Sequence, residues 1–186
     1  MTHILEGNMA LKTANVKLND AGVKRIYLDA FPKEERMPFS MMVAMSKLWN
    51  TNFWAFYDKD VLCGFVYMAV NRNLAFIMFL AVDEALRSQG YGSAILKEIS
   101  KKYPNKKIIV SIEPCDNSAS DLKIRKMRKS FYLRNGYQET GYKIKLSGVV
   151  QDIIIKNGEF SKKEFRSFFA VYSNGAMWPR IWKPAL

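Results

Sequence analysis

The apolar positions of this chain fall into two rhythms. Nine consecutive apolar residues, Leu74 to Val82, form the strongest signal. The run is too short to cross a bilayer, which takes ~20 residues, and suits a strand buried on both faces. Asp83, Glu84, Ser88 and Gln89 then break it. From Gly90 the rhythm becomes helical, with Ala94, Ile95, Ile99 and Tyr103 on one stripe and Lys97, Lys101 and Lys102 mostly off it. Upstream, Asn52 to Tyr57 and Val61 to Val70 read as strands joined at Asp58-Lys59-Asp60, and Asn71-Arg72-Asn73 turns the chain into the run at 74. This is an antiparallel meander. The helix stops at Pro104-Asn105, and Lys107 to Ile112 is another apolar strand. Strand, helix and strand of this length imply a right-handed crossover, so 74–82 and 107–112 are expected to run parallel.

The flanks carry weaker patterns. Residues 1 to about 13 are expected to be loosely ordered, and Asn15 to Leu18 to form a short first strand. Asn19 or Asp20 can cap a helix whose Val23, Ile26, Tyr27 and Phe31 share a face. Pro32 stops it, and a charged loop runs to Pro38. A second helix over about 40–49 carries Met41, Met42 and Met45, either as core filling or as a pliable substrate wall. Beyond Pro114, Asn117 or Ser118 can cap a helix containing Leu122, Ile124, Met127, Phe131 and Leu133, closed by Asn135-Gly136. Tyr142 to Leu146 and Val149 to Lys156 suggest a final hairpin. Ser161-Lys162-Lys163-Glu164 has the form of a capping box and starts a helix bearing Phe165, Phe168, Phe169 and Tyr172. The tail at 178–182 is aromatic and interrupted by proline.

Composition narrows the chemistry. At 186 residues, 49% hydrophobic and 25% charged, the chain is expected to be one globular domain over 1–186. Two cysteines make no disulfide framework, and the first residues lack the form of a signal peptide; a cytoplasmic protein without a membrane anchor is expected. The single histidine, His3, leaves little room for Ser-His-Asp, Cys-His or zinc chemistry, and no metal is expected. A general base would be a carboxylate, a tyrosine, a backbone group or a water. The net charge of +12 suits an anionic ligand with several phosphates, or an anionic macromolecule such as RNA.

The junction Arg87-Ser88-Gln89-Gly90-Tyr91-Gly92 gives that charge a place. The first turn of a helix leaves backbone N–H groups unpaired, and they attract anions. Glycines at 90 and 92 let a phosphate approach the backbone, and Arg87 adds a full charge. The residues fit neither common phosphate loop. Gly92-Ser93-Ala94 lacks the lysine of a P-loop, and Ile95 stands where a dinucleotide fingerprint has its third glycine.

What remains, R-x-x-G-x-G after a strand ending Leu80-Ala81-Val82, resembles the acetyl-CoA motif of the GNAT N-acetyltransferase superfamily, Q/R-x-x-G-x-G/A. Phe131-Tyr132-Leu133-Arg134-Asn135-Gly136-Tyr137 resembles the family's second signature, F-Y-x-x-x-G-F. The stretch from Ala30 to Arg36 is similar to the first helix and loop of some small bacterial members. The resemblance covers about 15–156 and leaves 157–186 as a C-terminal extension. It implies an α/β (α+β) fold with a mixed, mostly antiparallel central sheet, a splayed parallel pair and flanking helices.

The resemblance also implies roles. Backbone groups of Leu80 and Val82 would bind the pantetheine arm of acetyl-CoA, and Arg87, Ser88, Gln89, Gly90, Tyr91, Gly92 and Ser93 its diphosphate. Asn117 would contact the pantetheine amide, and Tyr132 would serve the departing sulfur as an acid. A backbone N–H at a bulge in 74–82 could stabilise an oxyanion. Glu113, at a strand end where such a crevice opens, is a candidate base or simply a solvated carboxylate. Asp83 and Glu84 lie too near the diphosphate to suit that role. The expected reaction moves acetyl from acetyl-CoA to a primary amine of unidentified structure by direct attack in a ternary complex. The competing readings are a non-catalytic CoA-binding module and an RNA- or ribosome-binding module. A homodimer is possible if the aromatic helix 161–172 exposes its apolar face.

Overall fold

The computed structural model describes residues 10–184 apart from 49 and 147. Within them an eight-stranded sheet runs in the order β1-β2-β3-β4-β5-β7-β6-β8. The strands are β1 (Lys12–Asn15), β2 (Thr51–Asp58), β3 (Val61–Val70), β4 (Leu74–Val82), β5 (Lys107–Ile112), β6 (Gln138–Leu146), β7 (Val149–Lys156) and β8 (Arg180–Trp182). Every pairing is antiparallel except β4 with β5, the pair joined by the expected crossover. The helices are α1 (Ala21–Ala30), α2 (Phe39–Met45), α3 (Tyr91–Lys102), α4 (Leu122–Arg134) and α5 (Lys162–Tyr172).

The apolar run at 74–82 explains the layering. Its residues alternate between two cores, so both faces of β4 are covered. Ala75, Ile77, Leu80 and Val82 join the cluster under α3 and α4, with Val66, Ile95, Val110 and Tyr132. Phe79 and Ala81 face the cluster under α1 and α2, and Leu74 and Phe76 the one under α5. The alternation slips once. Met78 and Phe79 face the same side, and β3 pairs Tyr67 with Phe79 but Met68 with Ile77, which leaves Met78 as an unpaired extra residue. This is a β-bulge in the middle of β4.

Helix α5 answers one question left by the pattern. Ser161 Oγ accepts the Glu164 N–H at 3.3 Å, as the capping box predicts. Glu164 pairs with Lys107 Nζ at 2.7 Å and ties the helix to the start of β5. Phe165, Phe168 and Phe169 are buried against Phe76, Ile109, Ile153 and Ile155. The aromatic face is therefore spent on the chain's own sheet.

The structure corrects several boundaries. The first strand is Lys12–Asn15 rather than 15–18, because pairing with β2 decides it; Leu18 is exposed. The loose segment expected at 1–13 lies mostly outside the described residues, as do His3 and Trp49. Asp20 accepts the Lys17 N–H at 2.6 Å and so closes the preceding turn instead of capping α1. Helix α2 ends at Met45, with Met42 fully buried and Met41 exposed. Helix α4 begins at Leu122, because Asp116 Oδ1 accepts the Ser118 N–H and hydroxyl at 3.0 and 2.9 Å and holds a turn there. Its Ile124 and Met127 are exposed. Strand β6 starts four residues before 142, across a register shift that the polar stretch 138–140 conceals. The tail supplies β8, with Ile181 opposite Ile144 at the sheet edge.

Candidate active site

The parallel pair opens into a crevice. β4 and β5 are paired from Leu74 with Lys107 only as far as Ile77 with Val110. β5 then stays with β7 to Ile112, while β4 passes through its bulge and continues to Val82. Over 78–82 the β4 edge facing β5 has no strand partner, so its backbone N–H and C=O groups, Leu80 and Val82 among them, can receive an extended ligand as an added strand.

At the end of that edge the chain makes a compact turn. Asp83 accepts the Ala85 N–H at 3.0 Å and an ion-pair hydrogen bond from Arg25, which fixes the exit from β4. The Arg25 hydrogen bond holds the Asp83 carboxyl below its ordinary range. Ser88 and Gly90 both take left-handed backbone, at φ 63° and 89°. Gly90 is the residue before α3, and Ala94 N–H is bonded to its carbonyl at 3.0 Å. The amides ahead of Ala94 are the orphan donors of a helix start. Gly92 is required by packing. A Cβ there would stand 3.1 Å from the Phe131 ring of α4. The two sequence signatures therefore meet at one contact between α3 and α4.

Side chains around the turn divide into free and committed. Arg87 is half-exposed and only 3.7 Å from Glu84. Ser88 and Ser93 are exposed. The Gln89 amide donates to Ala85 O at 3.0 Å, and the Tyr91 hydroxyl donates to Asp58 at 2.9 Å, so Tyr91 offers its backbone rather than its phenol. A groove of about 760 Å³ continues from Ser88 along α4, lined by Leu122, Lys123, Lys126, Met127, Phe131 and Arg134 among others. Lys123, Lys126 and Arg134 pair with no carboxylate among the described residues. The sequence pattern had assigned these cations no role.

The second signature is a helix stop with a purpose. Gly136, at φ 83°, lets the chain reverse; its N–H bonds to Leu133 O at 3.1 Å and the Tyr137 N–H to Tyr132 O at 3.2 Å. The reversal folds the Tyr137 ring to 5.4 Å from the Tyr132 ring, and Phe131 lies 5.0 Å on the other side. Tyr132 is thereby held in the cluster that contains Ile77, Val110 and Ile112, at the mouth of the crevice. Its hydroxyl makes no hydrogen bond to any described residue. Burial pushes its pKa up to about 12, against the pull of Arg128, so the phenol stays a proton donor at neutral pH.

Glu113 reaches the same mouth from the end of β5, where it forms an ion pair with Arg128. Burial works to raise its pKa, but the Arg128 hydrogen bond and charge prevail and hold it below the ordinary value. Asn117 is exposed in the turn at 116–118. Glu35, which the sequence pattern did not separate from its neighbour Glu34, is half-buried and feels the charges of Glu113, Arg128 and Arg125. Burial, with the Glu113 charge added, pushes its carboxyl above the ordinary value. No group of three or more His, Cys, Asp or Glu that could hold a metal occurs among the described residues. Nor is any described helix long and apolar enough to cross a membrane.

Comparison with known proteins agrees with this architecture. Residues 49–139 match the family model of the acetyltransferase (GNAT) domain. No curated protein sequence matches significantly. A GNAT-family protein from Bacteroides thetaiotaomicron superposes with a TM-score of 0.71 at 17% identity, covering 89% of this chain and 99% of that one. An aminoglycoside 6'-N-acetyltransferase in complex with coenzyme A gives 0.59 at 16% identity, over 78% and 96%. The PaiA N-acetyltransferase from Thermoplasma acidophilum, also in complex with coenzyme A, gives 0.53 at 16% identity, over 80% and 99%. The family match spans the strands and helices that build the crevice, and the fold is shared along most of the chain: this protein is a member of the GNAT superfamily.

Proposed function

We propose that the protein is an acetyl-CoA-dependent N-acetyltransferase acting on a primary amine. The observation that carries the reading is the splayed β4 edge leading into a phosphate-sized turn, with a free phenol at the mouth. The residues fit the co-substrate part by part. The unpaired edge at Leu80 and Val82 suits the two amides of a pantetheine arm. The amides from Ser88 to Ser93, with Arg87 and the backbone of Tyr91, suit a diphosphate. Asn117 is placed beyond β5, beside the path of the arm. The coenzyme A bound to two of the structural relatives supports the same assignment.

The bound thioester supplies an activated acetyl group; the chain's residues do the rest. The crevice aligns the carbonyl with the bulge at Met78, whose unpaired backbone suits an oxyanion. Tyr132 donates a hydrogen bond and then its proton to the sulfur as the C–S bond breaks. The departing thiol has a pKa of roughly 8.5, so this donor assists rather than compels. The acceptor amine must be neutral to attack, yet amines titrate near ~8 to ~10.4. A base is therefore needed, and the ion pair with Arg128 leaves Glu113 a poor one. The two free cysteines support a cytoplasmic setting.

The test is release of free CoA thiol when acetyl-CoA is mixed with a panel of amines: tyramine, spermidine, kanamycin and short peptides with free N-termini. The expected result is thiol release that requires both protein and amine. Binding of acetyl-CoA without release to any of them would favour the non-catalytic module.

A further inference from the structure

The mechanism above needs a proton acceptor, and one carboxylate remains that it does not use. The loop between α1 and α2 is fixed over the crevice by specific bonds. Arg36 Nε donates to Phe31 O at 2.7 Å. The Tyr27 hydroxyl accepts the Met37 N–H at 2.7 Å and donates to Met37 O at 3.1 Å. The Phe31 ring stands 4.9 Å from the Phe79 ring, edge to face, directly after the β4 bulge. Between these anchors lies a 3-10 turn, Lys33–Glu35. Glu34 of that turn is exposed, whereas Glu35 is half-buried and faces the charges of Glu113, Arg125 and Arg128.

Resting on the acetyltransferase reading, we infer that Glu35 is the catalytic base, standing across the crevice from Tyr132, with the Glu113–Arg128 ion pair as a fixed wall between them. The acceptor arrives as an ammonium, and Glu35 carboxylate takes one of its protons. The freed lone pair forms the C–N bond to the acetyl carbon. The C–S bond then breaks with its electrons passing to sulfur, which takes the Tyr132 proton, and the remaining surplus proton on nitrogen restores the phenol. Glu35 returns its proton to solvent. The sum is one amide, one free thiol and one released proton.

The electrical surroundings suit the task. On its own loop Glu35 has Glu34 and Arg36; from β5 it meets Glu113, and from α4 it meets Arg125 and Arg128. Arg125 is committed to Asp121 at 2.7 Å and Arg128 to Glu113, so neither cation is free to neutralise it. A carboxylate with a raised proton affinity is a better base than Glu113, whose partner holds it acidic.

Glu35→Gln is the test, with Glu34→Gln as the neighbour control. Using acetyl-CoA and the best amine of the panel, Glu35→Gln is expected to lose about 10²-fold or more in kcat and the acid limb of the kcat–pH profile. Acetyl-CoA affinity and the Glu34→Gln rate should be unchanged. A second readout needs no acceptor. In ¹³C-glutamate-labelled protein, the carboxyl signal missing from Glu35→Gln should titrate above the ordinary range. Because its folded-state pKa is raised, the charged form costs stability at neutral pH. Glu35→Gln should thus melt at or above the wild-type temperature at pH 7, with the difference closing below about pH 4. A merely structural Glu35 would melt lower when replaced. Transfer by the wild type with an unchanged Glu35→Gln rate, or a carboxyl that titrates at or below its ordinary value, overturns the assignment and leaves the transferase reading standing. No transfer by the wild type to any amine overturns both.

Discussion

Replacing Tyr132 with Phe is expected to lower kcat for acetyl transfer by about 10²-fold while leaving acetyl-CoA binding and the melting temperature unchanged. The separation follows from how the side chain is held. Its ring is packed between Phe131 and Tyr137, and the Schellman-type stop at Gly136 fixes its angle. Phenylalanine keeps all of that apolar packing. The hydroxyl has no partner among the described residues, so removing it leaves no orphaned donor or acceptor behind. What disappears is the proton donor at the mouth of the crevice, and positioned proton transfer contributes ~10²–10⁴-fold. Steady-state kinetics beside a thermal melt check this. A variant that melts like the wild type and turns over at the wild-type rate would remove Tyr132 from the mechanism.

The largest effect on stability is expected at Gly64, in β3 opposite Val82. A Cβ added there would lie 2.3 Å from the carbonyl oxygen of Ala81 and 3.1 Å from both Val82 Cα and Ile95 Cδ1. Two of the three are backbone atoms, so the clash cannot be relieved by a rotamer change. Overpacking a closed core costs ~1–3 kcal/mol, occasionally more, and Gly64→Ala belongs at the upper end. For a chain of this length about 3 kcal/mol lowers the melting temperature by roughly 6–12 °C. The displaced atoms belong to the end of β4, so the variant should also bind acetyl-CoA more weakly. Calorimetric melting checks the first effect; a shift of less than about 2 °C would mean that β3 and β4 approach less closely than described.

The sheet was legible in the sequence where the signal is local. The uninterrupted run 74–82 announces a strand covered on both faces, and the change of period at Gly90 announces its helix. Both ends of β4 and β5 match their patterns because sharp polar breaks bound them. Elements decided by partners were not legible. β1 is a short polar edge whose extent is set by β2, and β8 is three residues recruited by β6. The first half of β6 reads as polar because it crosses a bulge. In the site, the phosphate turn and Tyr132 lie inside compact motifs and can be named from them. Glu113 was placed near the crevice by its position at a strand end, but its partner Arg128 sits 15 residues away on another element. Glu35 shows the limit most sharply. Adjacent glutamates in a charged loop look alike in a sequence, and only the tertiary fold turns one toward Arg128 and the other toward solvent.

The central claim is that the 87–93 turn binds the diphosphate of acetyl-CoA, and isothermal titration tests it most directly. Acetyl-CoA would be titrated into the wild type and into Arg87→Glu, whose half-exposed side chain makes the substitution compatible with folding. The account predicts saturable one-to-one binding by the wild type. It predicts about 10-fold or greater weakening in the variant, because a charge-assisted hydrogen bond contributes ~1.5–3 kcal/mol and each ~1.4 kcal/mol is tenfold in affinity. Equal affinity in the two proteins would move the diphosphate away from this turn. No binding by the wild type at high micromolar acetyl-CoA would contradict the enzyme reading and leave a basic-surface binding module in its place.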